Sequence, residues 1–286
     1  MYRRPFILRR RKLGRTSTPA ISAVSTTGII SRRDAHNIPE DCDLLIRWGC
    51  TSNVPTRNVL NTAEAIHTVN NKLEFRRTLN AEGLCPPTYF EDTPINSLPY
   101  NNGIVVRPST HSRGRHLEVV RSSDELLAIT RRQPYSNGWY ASDLIAKVAE
   151  YRVFVVQGRA VAVAQKTPDN PNAVAWNVAR GGRFDNVSWD NWPLKAVKVS
   201  IQAFNLSGLH FGGVDVMVDA VGNAYVIEIN SAPSLTSEYR QECMAKAFDW
   251  IVTNENKDTI PLVEERGGYR KFIHPAISSN ARLVNE

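Results

Sequence analysis

The sequence predicts an α+β protein, and three observations carry that prediction. Apolar, β-branched runs at 150–156 and 160–165 are separated by Gln157, Gly158 and Arg159, and a second pair at 214–219 and 224–229 flanks another short turn, the pattern of antiparallel hairpins. Between and after these pairs the apolar period lengthens to three and four residues, as in helices that cover a sheet. The composition, 42% hydrophobic and 22% charged with 16 Gly and 16 Pro, excludes collagen, coiled coil and wholesale disorder.

From the start of the chain, Arg3, Arg4, Arg9, Arg10, Arg11, Lys12 and Arg15 stand without an acid, so the formal charge of +7 is concentrated at one end. Residues 3–15 are therefore a candidate polyanion contact, the alternative being a solvated terminal extension. No apolar stretch there exceeds 5–8, which argues against a signal peptide. A polar stretch at 16–27 precedes Leu44, Leu45 and Ile46, a short buried strand. Two helices follow at 61–70 and 72–82, the first with Ala63, Ile66 and Val69 on one face, the second with Leu73, Arg76 and Leu79. Gly83 stops the second, and Pro86 with Pro87 enforces an extended exit.

Strands at 104–106 and 117–120 flank a polar turn, and Ser122 with Glu125 forms a capping-box signature for a helix at 123–132. Pro193 opens a helix striped by Leu194, Val197, Ile201 and Phe204 and ended by Gly208; a last helix spans 237–252. Residues 254–264 read as irregular, with 261–263 as an optional edge strand. The divisions expected are a basic segment at 1–15, a first region at 16–90, units at 91–147 and 148–253, and an extension at 254–286.

The longest apolar runs, such as 103–106 and 153–156, fall far short of the roughly 20 residues that span a bilayer, so no membrane helix is expected. Cys42, Cys50, Cys85 and Cys243 contain no C-x-x-C pair, and the six histidines show no metal-ligand spacing. This points to a reducing, cytoplasmic setting and away from structural zinc.

The sharpest local signal is the pair of acidic strands. Alternation puts Asp215 on the face opposite Val214, Val216 and Val218, and puts Glu228 and Asn230 on one face. A turn centred between Val221 and Gly222 sets Asp215 across from Glu228; centring it on Gly222 and Asn223 opposes Asp215 to Asn230 instead. Two facing carboxylates repel unless a cation lies between them, and an all-oxygen set suits magnesium. The competing reading is a solvated edge hairpin.

The turn from Arg107 through Ser109, His111, Ser112, Arg113 and Gly114 to His116 joins two strands and carries hydroxyls and arginines suited to phosphate, without P-loop spacing. Around the hairpin at 150–165 stand Lys147, Glu150, Arg152, Lys166, Asn177 and Arg180, bases of the kind that neutralise a transferring phosphoryl group. Each alone reads equally as surface. His210 reads as structural, the tryptophans as packing, and Trp176 as a candidate cleft residue.

With these residues assembled, the chain resembles the ATP-grasp enzymes over about residues 60–235, nearest to the carboxylate–amine ligases that include the ribosomal protein S6 glutamate ligase. The strongest pieces are Gly213-Val214-Asp215 and the run from Val226 through Glu228 and Asn230 to Pro233. The resemblance implies an ATP-grasp fold, with nucleotide held between two α+β subdomains and a reduced N-terminal region. It implies Asp215, Glu228 and Asn230 as ligands of Mg2+, with Mn2+ as a substitute. It places Lys72 and Arg107 on ATP phosphates, Arg107 standing where the family has lysine. Ser109, Ser112, Arg113 and Gly114 match its phosphate-covering loop; Asp143, Leu144 and Ile145 its adenine linker; Glu150 its ribose acid; and Lys166 a further phosphate contact. Arg152, Asn177 and Arg180 match catalytic positions of the S6-ligase branch.

The activity so implied is ATP-dependent amide or peptide bond formation through an acylphosphate, releasing ADP and phosphate. The partners are a carboxylate substrate and an amine acceptor, a peptide or protein terminus among them. The alternatives are an ATP-grasp kinase acting on a small molecule and a non-catalytic binding protein with a basic arm. Homo-oligomerisation is left open.

Overall fold

The structure is a computed structural model and describes residues 2–9, 28–56, 58–110, 116–170, 173–176, 182–255, 262–266 and 269–272, with side chains described as far as residue 255. The first sheet is parallel: β1 (Pro5–Arg9), β2 (Gly28–Ser31), β3 (Leu44–Trp48) and β4 (Val59–Leu60), in the order β2-β1-β3-β4. The expected strand at 44–46 is β3. The basic start of the chain is not a solvated extension throughout, because β1 is an interior strand of this sheet. Ile7 packs into one core and Leu8 into another, both fully buried. A strand buried on both faces reads as a short continuous apolar run rather than as alternation. Here that run is only Phe6, Ile7 and Leu8 between arginines, so charge masks it.

Next come α1 (Ala63–Asn70) and α2 (Lys72–Ala81), capped by Thr62 and Asn71, whose side chains accept the N–H groups of Ala65 and Glu74. Helix α1 starts two residues later than its periodicity suggests. Asn61 sits at φ 64°, and its amide bonds instead to the backbone of His210 and Phe211. Arg76, which falls in the apolar stripe of α2, is buried there and donates to the carbonyls of Val226 and Ile227. An arginine in a core stripe is thus explained by two backbone acceptors that need a donor.

The second sheet comprises β5 (Thr88–Phe90), β6 (Ile104–Pro108), β7 (Glu118–Val120) and β8 (Trp139–Asp143), antiparallel in the order β5-β8-β6-β7. Helix α3 (Ser123–Thr130) lies across it. Its Ser122 cap accepts from the Glu125 N–H at 3.2 Å, while the Glu125 carboxylate reaches back to the Arg121 N–H at 2.7 Å.

The third sheet is antiparallel in the order β11-β10-β9-β12-β13, built from β9 (Lys147–Val156), β10 (Arg159–Thr167), β11 (Arg183–Asn186), β12 (Phe211–Asp219) and β13 (Ala224–Asn230). Gln157 and Gly158, both at positive φ, make the two-residue turn of the predicted hairpin. Helix α4 (Leu194–Leu206) covers one face, with Val153, Val155, Val214 and Val216 beneath it; Pro193 is its cap rather than its first residue. Helix α5 (Glu238–Thr253) and the parallel sheet cover the other face over Phe154, Val156 and Phe211. β14 (Leu262–Arg266) and β15 (Tyr269–Phe272) pair as a hairpin where sequence suggests irregular chain, since Leu262 and Val263 are the only apolar residues of β14. Among the described residues no helix is long and apolar enough to cross a membrane.

Candidate active site

The face of the third sheet that carries Phe154 and Phe211 changes character along its strands. Toward the second sheet the same alternation presents Glu150 and Arg152 from β9, Lys166 from β10 and Asp215 from β12, all lining a cavity of about 410 Å3. Cross-strand register places Arg152, Asp215 and Glu228 in one row, Arg152 opposite Asp215 and Asp215 opposite Glu228. The register with Asp215 across from Glu228 is therefore the one observed. Toward the turn a bulge shifts the pairing, so that Val216 faces Val226. The bulge lets Ile227 and Glu228 both reach the cavity while Val226 and Ile229 both pack under α4. Arg76 binds the carbonyls on either side of this kink.

The charges are paired. Arg152 grips Asp215 with two bonds, Nε to Oδ1 at 2.6 Å and Nη2 to Oδ2 at 2.8 Å. Gly213 permits this course, because a Cβ there would meet Pro233 at 2.9 Å and the Arg152 stem at 3.4 Å. Lys72, from the start of α2, donates to Glu228 Oε2 at 2.7 Å, and Asn230 Nδ2 donates to Glu228 Oε1 at 3.2 Å. Burial raises the Glu228 carboxyl, but Lys72 and then Arg152 outweigh it and hold its pKa down at about 2. Glu150 accepts from Lys147 and from Lys166, the latter at 2.7 Å, and Lys166 lies 3.8 Å from Asp215. The two lysines diverge. Burial pushes the Lys147 ammonium down despite Glu150, whereas Asp215 and Glu150 together overcome burial and hold Lys166 up.

At the other end, Asp143, Leu144 and Ile145 line the cavity between β8 and β9. Asp143 accepts from the Tyr89 hydroxyl at 2.8 Å. The Leu144 N–H is committed to the Gly103 carbonyl at 3.2 Å, so this donor does not face a ligand. Arg107 lines the same wall, with a buried Nε that bonds to no described residue.

The structure thus brings together Lys72, Arg107, Asp143, Leu144, Ile145, Glu150, Arg152, Lys166, Asp215, Glu228 and Asn230. Ser109 is not among them. Its N–H donates to the Gly138 carbonyl at 2.7 Å and its hydroxyl to Asn137 at 3.3 Å, which ties it to the turn before β8. Ser112, Arg113, Gly114, Asn177 and Arg180 lie outside the described residues. Sequence reasoning left out Lys147, which bonds to the Val174 carbonyl at 2.6 Å with its ammonium 4.8 Å from the Trp176 ring centre. It also left out Met217, Ile227 and Phe184, apolar walls that strand parity alone would have placed for Met217. Trp176 lines the cavity as expected, and His210 is structural, its Nδ1 accepting the Asn61 N–H at 2.9 Å.

For a divalent cation, the donor chemistry is one of oxygens. Glu228 remains ionised and open to the cavity, and Asn230 stands beside it. Both oxygens of Asp215 are already held by Arg152. The set suits a hard cation through Glu228 and Asn230, with Asp215 sharing its charge between the cation and Arg152.

This geometry agrees with an independent comparison, in which residues 95–248 match the family model of an ATP-grasp domain, family 3 of its clade. The chain belongs to that family. The ATP-grasp expectation and the α+β class are borne out. No match was found among curated protein sequences. Similar solved structures include D-alanine–D-alanine ligase from Bacillus anthracis, at 14% identity and TM-score 0.60 over 88% of this chain and 99% of that one. ATP-grasp ligase PsnB, complexed with minimal precursor, Mg and ADP, is similar at 11% identity and TM-score 0.60 over 88% and 97%. Macrocyclase MdnC from Microcystis aeruginosa, bound with precursor peptide MdnA, is similar at 12% identity and TM-score 0.59 over 88% and 99%. At these identities the likeness establishes the ATP-grasp fold.

Proposed function

We propose that this ATP-grasp protein is an ATP-dependent carboxylate–amine ligase that binds ATP with Mg2+ in the cavity between its second and third sheets. The observation that carries the reading is the row Arg152–Asp215–Glu228, with Lys72 on Glu228, at one end of a cavity whose other end is the segment 143–145. The adenine lies at that segment, where the Asp143 carboxylate accepts from an amino group and Leu144, Met217 and Ile227 supply apolar walls. Glu150 accepts ribose hydroxyls. Arg107, whose Nε lacks a described partner, takes phosphate oxygens, as does Lys72.

Mg2+ held by Glu228 and Asn230 with Asp215 supplies charge neutralisation for the phosphates. A substrate carboxylate attacks the terminal phosphoryl group of ATP, and an amine then displaces phosphate from the resulting acylphosphate. Arg152 and Lys166 stand where negative charge develops and are fixed in advance by Asp215 and Glu150, so no reorganisation is needed at the moment of transfer. Arg180 and Asn177 complete the catalytic set in this proposal, and the loop at 109–115 excludes water from the acylphosphate. PsnB is complexed with minimal precursor and MdnC is bound with a precursor peptide, which supports peptide carboxylates as well as free amino acids in the substrate range.

The test is incubation of the purified protein with magnesium-ATP and pools of amino acids and peptides, following ADP release with mass analysis of products. An amide product that requires an amine supports the proposal. A phosphorylated product formed without any amine contradicts it in favour of a kinase.

A further inference from the structure

One charge beside this cavity has no counter-charge in contact with it. Arg240, in the first turn of α5, is 2% exposed, and among the described residues no carboxylate lies within 4 Å of it. Its Nη2 donates to the Thr236 hydroxyl oxygen at 2.6 Å and its Nη1 reaches the Phe184 carbonyl at 3.5 Å, while its buried Nε has no described partner. Burial pushes the Arg240 pKa down, the like charge of Arg152 adds to this, and the more distant Asp185 offsets only part of it. Lys72, Arg152 and Lys166, at the same end of the cavity, are each matched by a carboxylate. An unmatched buried guanidinium is costly unless a ligand's charge completes it.

The bond to Thr236 says where that charge arrives. A hydroxyl that accepts from a guanidinium keeps its own hydrogen free to donate. Thr236 lines the cavity, as do Ser234, two residues earlier on the same turn, and Phe184. The Phe184 ring centre lies 5.9 Å from Arg240 and 4.8 Å from Arg152, so one aromatic ring separates the two guanidinium groups.

We propose that the end of the cavity formed by Ser234 and Thr236 is a carboxylate subsite, in which the buried Arg240 polarises the Thr236 hydroxyl to donate to a carboxylate of the ligase's substrates. Arg240 is a positioning residue and Thr236 the contact. The inference rests on the ligase reading and deepens it. The carboxylate has two sources, the one that becomes phosphorylated or the one carried by the amine substrate.

Both are separated by titrating the magnesium-ADP-loaded protein, by calorimetry, with three pools of non-acidic amino acids: N-acetylated, free, and C-terminally amidated. A carboxylate-bearing pool binds the wild type, and the amides do not. Thr236→Val, which keeps the shape at an accessible position, weakens that binding by about tenfold, the scale of a hydrogen bond to a charged group, and leaves magnesium-ADP affinity within about twofold. Arg240→Lys weakens it in the same direction with the fold intact by circular dichroism. Weakening of the N-acetylated pool assigns the subsite to the reacting carboxylate; weakening of the free pool alone assigns it to the amine substrate. Carboxylate pools that bind no better than amides, or wild-type affinity in Thr236→Val, overturn the proposal. A wild type that does not bind magnesium-ADP defeats the underlying ligase reading instead.

Discussion

The two halves of one face of the third sheet share the same strands and the same backbone ladder, yet they are built on opposite chemistry. In one half Phe154, Val156, Ala162 and Phe211 lie under α5 and β3, and Trp48, Phe211 and Phe248 form an aromatic cluster with ring centres 5.0 to 6.2 Å apart. Two residues along, Arg152 replaces Phe154 in the alternation, and the face becomes ionic with Glu150, Lys166, Asp215 and Glu228. What differs is the cover, a helix and a sheet in one case and a cavity in the other. The apolar half stabilises the fold by burial; buried ion pairs contribute little net stability, because desolvation offsets most of their attraction. Their presence here is the mark of chemistry rather than of folding.

That contrast can be broken by substitution. Phe211→Ala should cost about 3–5 kcal/mol in urea unfolding, as for other buried aromatic truncations. Asp215→Asn should cost a similar amount, about 3–5 kcal/mol, because it leaves Arg152 buried without its carboxylate. The double change Arg152→Met with Asp215→Leu should return stability to within about 1–2 kcal/mol of the wild type while ATP turnover stays lost. A double variant as unstable as Asp215→Asn alone would show that the ionic half also holds the fold.

A smaller effect is expected with pH. The Glu228 carboxyl sits at about 2 in the folded protein against an ordinary 4.5, so its stabilisation is complete above about 4.5 and is lost as pH falls toward 2. Lys72→Met removes the largest opposing charge and should raise that acid limb, read from urea midpoints across the same range. The smallest change is expected for Arg107→Lys. It keeps the charge at a phosphate position but gives up the guanidinium fork, and ATP affinity should shift by less than about tenfold.

The site was more legible than the frame around it. Asp215 and Glu228 were readable because strand parity fixes which residues share a face, and a short turn fixes which pair stands opposite. Lys72 and Arg107 came only through the resemblance, since nothing local in a helix start or a strand end says what lies across the cavity. β1 was hidden because its apolar run is brief and flanked by arginines, and β5 and β8 because a three-residue or five-residue strand leaves too little pattern to count. Ser109 was misplaced because a hydroxyl in a polar turn suits phosphate and suits a neighbouring carbonyl equally, and the fold gave it the carbonyls of Asn137 and Gly138. The bulge at Ile227 left no sequence signal. Its partner Arg76 did, as a buried-stripe arginine, but one chain cannot say which carbonyls it meets.

The account's central claim is that Glu228 is where the cation and the phosphates of ATP meet the ionic half of the sheet. Magnesium-dependent ADP release by Glu228→Gln, measured beside the wild type at saturating substrate with melting curves for both, tests it most directly. The expected result is a loss of turnover of about a hundredfold or more, the scale seen when a transition-state charge partner is removed, at a melting temperature within a few degrees of the wild type. Undiminished turnover at that melting temperature would contradict it.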